Sequence, residues 1–218
     1  MLETIAETRM STNLALIGLG ANLSSSAGSP DQSVRFALRL INSRTGLTLG
    51  SVSRIYRSPA FPAGSGPDYA NACALLRTDL APRALLDALH GIEARLGRTR
   101  DNGRWAARSI DIDLLAIGEV IAPDAAQQDA WRNLPLEAQK TRAPDRLILP
   151  HPRMQDRAFV LLPLAEIAPS WRHPRTGLTV MEMLAALPAA DRVALRLSLD
   201  NPPATDHVAV SALSDSNR

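Results

Sequence analysis

The chain is poor in the residues that several common chemistries require. Cys73 is its one cysteine, which excludes an internal disulfide and a cysteine-built metal cluster. Its neighbours, Asn71-Ala72 and Ala74-Leu75-Leu76, make that thiol read as a small buried hydrophobe rather than a nucleophile. Lys140 is the one lysine among 24 Lys and Arg, so a phosphate-binding loop built on lysine has almost nowhere to sit. Any phosphate clamp must use arginine, whose planar fork grips oxygens in pairs. A GC-rich coding bias is the ordinary explanation of the same excess. No apolar run approaches the roughly 18 residues that a membrane helix needs. The first residues carry acids early and no long apolar stretch, unlike a secretory leader. A formal net charge of +2 is too small for a general nucleic-acid coat. These absences predict a cytoplasmic protein with no membrane and no nucleic-acid partner, and a monomer is expected.

What is present supports one domain with elaborations: 218 residues, 45% of them apolar. Residues 1–13 and 201–218 read as flexible tails around a domain spanning 14–200. The continuous apolar run 14–19 reads as a buried strand that Gly20-Ala21-Asn22-Leu23 ends, and Gly18 with Gly20 gives a weak dinucleotide signal that lacks its third glycine. Ser29 as cap and Pro30 at the first position predict a helix with Val34, Ala37, Leu38 and Ile41 at helical spacing, closed by Gly46. Residues 47–56 read as a strand with a bulge at Gly50, 58–69 as a long Pro/Gly loop, and 71–78 as a third strand. Pro82 opens a helix with a Leu85, Leu89, Ile92, Leu96 stripe that Gly97 stops. Residues 122–145, rich in Ala, Gln and charge, read as an inserted helical excursion dispensable for chemistry. A short strand at 146–149, a helical segment with Pro163 as kink or boundary, a helix over 180–187 capped by Thr179, and an edge strand over 193–199 follow. Two strand–helix–strand units in series predict an α+β fold, an antiparallel or mixed sheet with helices on one face.

The chain turns on Arg104-Trp105-Ala106-Ala107-Arg108-Ser109-Ile110-Asp111-Ile112-Asp113. Period two puts Ile110, Ile112 and Leu114 on one face of a strand and Asp111 and Asp113 on the other. Alternate residues lie roughly 6–7 Å apart. Two carboxylates at that spacing repel each other unless something positive sits between them. Beside several arginines, they suggest Mg²⁺ carrying a polyphosphate. The bland alternative is the solvated face of an amphipathic strand, although aspartate is a poor strand former.

One ordered set of short motifs goes further. Gly20-Ala21-Asn22-Leu23, Tyr56-Arg57-Ser58-Pro59, Asp68-Tyr69-x-Asn71, Gly97-Arg98, Arg104-Trp105-x-x-Arg108-x-x-Asp111-x-Asp113 and Pro150-His151-Pro152 occur in this order. From about residue 14 to 169 the chain resembles the 6-hydroxymethyl-7,8-dihydropterin pyrophosphokinase family of folate biosynthesis. The resemblance implies a ferredoxin-like α/β sandwich and transfer of pyrophosphate from ATP to the pterin's hydroxymethyl oxygen, giving AMP. It implies that Asp111 and Asp113 hold two Mg²⁺ ions and that Arg98 and Arg108 meet the phosphates as catalytic residues. Ser58, Pro59, Phe61, Tyr69, Asn71 and Phe159 would line the pterin pocket, with Tyr69 and Phe159 sandwiching the ring and Asn71 offering both donor and acceptor. His90, Glu93, Arg98, Arg100, Trp105, Arg108, Ile112, Arg146, Ile148, His151 and Arg157 would serve ATP. From composition alone residues 98–107 read as a mobile lid, because 98–104 hold four charges, one glycine and no large apolar residue. Some positions depart from the pattern. Ser58 replaces a common Thr, His90 a common Gln and Ile148 a common Thr. Asp101 stands where a basic residue can occur. The 122–145 segment has no counterpart in compact members. An RNA-binding sheet lacks its aromatic-rich central strands here, and an inactive relative would have no reason to keep the aspartate pair.

Overall fold

Ser29 and Pro30 start the first helix as their spacing predicts. Ser29 Oγ accepts from the Gln32 N–H, and the Ser29 N–H donates back to the Gln32 side chain at 2.7 Å, closing a capping box. The computed structural model describes residues 13–60, 64, 66–98 and 108–199. The expected tails fall outside that range, except that Asn13 already belongs to the first strand and residue 200 closes the expected domain just beyond it. In chain order the elements are β1 (Asn13–Ala21), α1 (Pro30–Asn42), β2 (Leu47–Val52), β3 (Tyr56–Ser58), β4 (Tyr69–Thr78), α2 (Pro82–Arg95) and β5 (Asp111–Ile117). Then come α3 (Ala125–Arg132), α4 (Leu136–Thr141), a 3-10 turn (Met154–Asp156), α5 (Ala158–Ile167), α6 (Val180–Ala186), α7 (Ala189–Val193) and β6 (Arg196–Leu197). Gly97, at φ +81°, ends the second helix in the left-handed conformation that suits glycine.

The described strand pairings are all antiparallel, in the order β5-β1-β4-β3-β6, with β2 also paired to β4. The strand expected over 47–56 breaks after Val52, and its pairing shifts register between Leu49 and Val52, where Gly50 lies. Counted as one bent strand, β2 and β3 complete a fourth-first-third-second order, the ferredoxin-like arrangement.

The helices cover both faces of the sheet, not one as expected. On the first face Ala15, Ile17, Leu19, Ala72, Leu76, Ile112 and Leu114 pack with Val34 and Ile41 of α1 and Leu85, Leu89 and Ile92 of α2. On the second, Leu16, Cys73 and Leu115 pack with Val160, Leu161 and Leu164 of α5 and Val180, Met183 and Leu184 of α6. Cys73 is the buried hydrophobe its neighbours predict. The α5 helix is apolar nearly all round, so it must sit between other layers. It also runs through Pro163 unbroken, although the proline offers the Phe159 carbonyl no helical donor. Two other expectations change. Residues 146–149 contribute only one bridge, Ala122 with Leu149, because Pro150 follows at once. The edge strand expected over 193–199 shrinks to the two residues of β6, because α7 runs to Val193. Within 122–145 the helices are α3 and α4. Among the described residues no helix is long and apolar enough to cross a membrane.

Two imidazoles are held neutral by this packing. His173 is buried, and its Nδ1 accepts from the Arg175 N–H at 3.1 Å; burial and then the Arg132 charge lower its pKa to about 4. His151 accepts in the same way from Arg153, and desolvation followed by the Arg157 charge brings it to about 3. Both folded values lie below the ordinary 6.5, so in acid the unfolded chain binds protons that the folded chain refuses. Stability is therefore complete above about pH 6.5 and falls below it, by on the order of 1 kcal/mol per pH unit for each imidazole. Urea midpoints measured at pH 7.5, 6.5 and 5.5 should hold level over the first interval and drop over the second; a level second interval would contradict the assignment.

Candidate active site

The register of three strands builds the floor of a cavity. Gly20 stands opposite Asn71 on β4 and Asp111 on β5, and Gly18 opposite Cys73 and Asp113. Period two then puts Gly18, Gly20, Tyr69, Asn71, Asp111 and Asp113 on the second face of the sheet. One half of that face carries Leu16, Cys73 and Leu115 under α5 and α6. The other half has glycine at its centre and stays low. A methyl at Gly20 would already lie 3.6 Å from Asn71 Oδ1 and 4.0 Å from the Tyr69 ring. The glycines thus sit inside β1 and are not the strand-to-helix turn of a dinucleotide site.

The cavity holds about 980 Å³ and is lined by all of the expected site residues that lie among the described ones. Phe61, Arg100 and Trp105 lie outside the described residues, as does the expected lid beyond Arg98. At one end stand Ser58, Pro59, Tyr69 and Asn71, with Phe159 contributed by α5. Asn71 is 4% exposed. Its Nδ2 donates to Ser58 Oγ at 2.9 Å and faces the carbonyls of Tyr56 and Tyr69 at 3.3 and 3.4 Å. Carbonyls cannot donate, so this nitrogen placement is the one the network allows. Asn71 therefore offers the cavity an acceptor, Oδ1, and not the donor and acceptor expected. Burial raises the Tyr69 pKa, which keeps the phenol neutral.

The centre is ionic. Arg98 bonds both Glu93 and Asp111, Arg108 bonds Asp111, and Arg157 reaches Asp113 at 3.4 Å. Burial works against the charge on Arg98, but Asp111 and Glu93 outweigh it and hold its pKa above the ordinary value. Glu93, 1% exposed, also accepts from the Ile112 N–H at 2.7 Å, so it ties α2 to β5 as well as holding Arg98. Asn22 anchors the chain entering β5: its Oδ1 accepts from the Arg108 N–H at 2.7 Å, and its own N–H donates to Arg108 O at 3.0 Å. Because His151 Nδ1 is an acceptor, its Nε2 carries the proton and is the donor. Among the described residues no cluster of three or more His, Cys, Asp or Glu is placed to hold a metal. The pair Asp111 and Asp113 stands by itself, a donor set suited to Mg²⁺ that keeps phosphate or water oxygens as further ligands.

The other end passes β5, at the end of the strand order, to α2, where Arg83, Leu86, His90 and Glu93 line one helical stripe. Ile112 and Ile148 are 2% and 4% exposed, so each presents only a small surface to the cavity. Arg146 stands there too. So do Trp131, Arg142, Pro144 and Asp145 of the insertion, which the sequence set apart from the site. Sequence reasoning also missed Asn22 and the floor glycines. The available signal was period two: Gly18 and Gly20 share a face, as Asp111 and Asp113 do.

A family model described as 7,8-dihydro-6-hydroxymethylpterin-pyrophosphokinase matches residues 16–169. A Pseudomonas aeruginosa protein named 2-amino-4-hydroxy-6-hydroxymethyldihydropteridine pyrophosphokinase is 38% identical over 172 residues, 79% of this chain and 90% of that protein. A Synechocystis protein of the same name is 36% identical over 170 residues, 78% of this chain and 74% of that one. Among solved structures, wild-type Plasmodium falciparum HPPK-DHPS covers 80% of this chain with a TM-score of 0.55 and 15% identity, a likeness of fold. The chain spans 44% of the length of that structure. With one family model running through both ends of the cavity and relatives above 30% identity over most of its length, this chain belongs to the 7,8-dihydro-6-hydroxymethylpterin-pyrophosphokinase family.

Proposed function

We propose that the chain transfers a pyrophosphoryl group from ATP to the hydroxymethyl oxygen of 6-hydroxymethyl-7,8-dihydropterin: an O–P bond forms to the β-phosphorus, the bond from that phosphorus to the α,β-bridging oxygen breaks, AMP leaves with that oxygen, and the hydroxyl proton is released. The observation that carries this reading is the cavity itself. One cavity holds two aromatic rings, Tyr69 and Phe159, and the buried Asn71 amide together with two carboxylates bonded by three arginines.

Asp111 and Asp113 would hold two Mg²⁺ ions, the triphosphate supplying the oxygens that this pair does not. Bound there, Mg²⁺ would draw charge from the phosphate oxygens and lower the pKa of the hydroxymethyl group. The protein's own part is placement and electrostatics. Tyr69 and Phe159 take the two faces of the pterin, and Asn71 Oδ1 accepts from an N–H on its edge. Arg98, Arg108 and Arg157, now on carboxylates, turn to phosphate oxygens and answer the charge that builds on the bridging oxygen as it leaves with AMP. His151, neutral, donates through Nε2 to a phosphate oxygen without adding charge. Arg146, His90 and the backbone at Ile112 and Ile148 receive the rest of the nucleotide, while Glu93 holds Arg98 in place.

The direct test is AMP production from ATP on adding the reduced hydroxymethylpterin, followed by chromatography. Pterin-independent ATP hydrolysis, or no AMP, would overturn the reading. Asp111→Asn and Asp113→Asn should keep the wild-type circular dichroism spectrum and lose roughly a hundredfold or more in turnover at moderate Mg²⁺; near wild-type rates in both would remove the metal assignment. Asn71→Ala should weaken pterin binding about tenfold, measured by calorimetry with a non-hydrolysable nucleotide present, and leave nucleotide affinity within twofold, because it deprives a pterin N–H of its acceptor. An unchanged pterin affinity would move the pterin elsewhere.

A further inference from the structure

The inserted segment is held too firmly for a surface decoration. Its first end pairs with the sheet-edge chain, Ala122 N–H to Leu149 O at 2.9 Å and Leu149 N–H to Ala122 O at 3.0 Å. Gln128 of α3 is fully buried, and its Nε2 donates to Pro150 O at 3.2 Å. Asp129 accepts from Arg132 at 2.8 Å and from Arg175 Nε at 3.1 Å, which ties α3 to the turn before α6. The first two anchors fall on Leu149 and Pro150, between the two cavity residues Ile148 and His151. Their effect is to fix Trp131, on the same helix, in the cavity wall, with the Arg142 guanidinium 5.5 Å from the centre of its ring. Trp131 is half-buried and Arg142 exposed. The cavity therefore ends in an indole and a guanidinium, a flat π surface with a positive charge.

We propose that residues 122–145 form the outer wall of the nucleotide end, and that Trp131, with Arg142 against its ring, recognises the purine base of ATP. The proposal rests on the pyrophosphokinase reading, which puts the triphosphate at Asp111 and Asp113. The phosphates then have their arginines at the centre of the cavity, and what reaches the far wall is the base. A purine has a π face to lay on an indole, and a neighbouring guanidinium adds a cation–π contact. Phosphate would gain nothing from the indole. His90 and Ile148 line the same cavity as Trp131, at positions where the family pattern has Gln and Thr. An isoleucine side chain offers a base no hydrogen bond, and the insertion supplies a stacking surface in its place.

The test is calorimetry of wild type, Trp131→Ala, Trp131→Phe and Arg142→Ala with three titrants: the Mg²⁺ complex of α,β-methylene ATP, Mg²⁺ tripolyphosphate, and the reduced pterin with the analogue present. Trp131→Ala should weaken the analogue about tenfold, the usual scale of one stacked base. Tripolyphosphate and pterin affinities should stay within twofold, and Trp131→Phe should restore most of the loss. Arg142→Ala, at an exposed position, should give a smaller loss in the same titrant alone. Wild-type analogue affinity in both alanine variants would overturn the wall. So would an equal loss for tripolyphosphate, since a base contact cannot be felt by a ligand without a base. If the wild type itself bound neither analogue nor pterin and made no AMP, the pyrophosphokinase reading would fail first and this inference with it.

Discussion

The register of β1 between β4 and β5 is the constraint on which the site depends. It sets Gly18 and Gly20 between Asn71 on one side and Asp111 and Asp113 on the other. A slip of one residue would turn Ile17 and Leu19 into the cavity and the glycines into the core. What prevents the slip lies on the opposite face. Ile17, Leu19 and Ile112 are at most 3% exposed beneath α1 and α2. Each such side chain contributes about 1.5–3 kcal/mol through burial, so a register that expelled several of them would not compete. The core on one face specifies the site on the other.

The ionic centre separates into a fixed part and an exchangeable part. Glu93 has 2% side-chain exposure, and removing its partners would leave a buried charge uncompensated, which is strongly destabilising. Its hold on Arg98 and the Ile112 N–H is therefore permanent scaffolding. Asp111, Asp113, Arg108 and Arg157 keep 24–36% of their side-chain surface. Ion pairs that wet are worth about 0–1 kcal/mol. Arginines so weakly committed can leave a carboxylate for a phosphate at little cost, and Arg98 can do so while still seated on Glu93. Lysine could not serve as well, because the guanidinium spreads its donors across a plane and meets two acceptors at once.

Much of this was legible from short-range pattern. Ser29-Pro30, Pro82 and Gly97 mark helix ends by local chemistry, and Asp-Ile-Asp alternation shows two carboxylates on one strand face. The ordered motifs brought distant segments such as Asn71, Asp111 and His151 into one expected site. The misreadings concern what only tertiary contact decides. The continuous run 14–19 already implied a strand buried on both faces, yet which helices supply the second cover is a matter of topology. Residues 146–149 look like a strand, but their only bridge goes to Ala122, because the chain leaves the edge at Pro150. The donor half of Asn71 is consumed by Ser58 and two carbonyls brought close by β3 pairing, which no window of sequence contains.

The insertion answers a problem that the fold creates. In the fourth-first-third-second order the last strand, β5, is an edge, and it carries the acidic pair. An open edge invites pairing with another chain and would leave that end of the cavity without an outer side. In this chain Ala122 and Leu149 pair just beyond β5, the His151 N–H bonds Leu115 O at 2.7 Å, and α3 stands over the join. One attachment thus covers the edge and walls the cavity. The two effects are inseparable: the bonds that hold α3 to the edge are made at Leu149 and Pro150, between Ile148 and His151, so whatever fixes this segment also fixes that wall of the cavity.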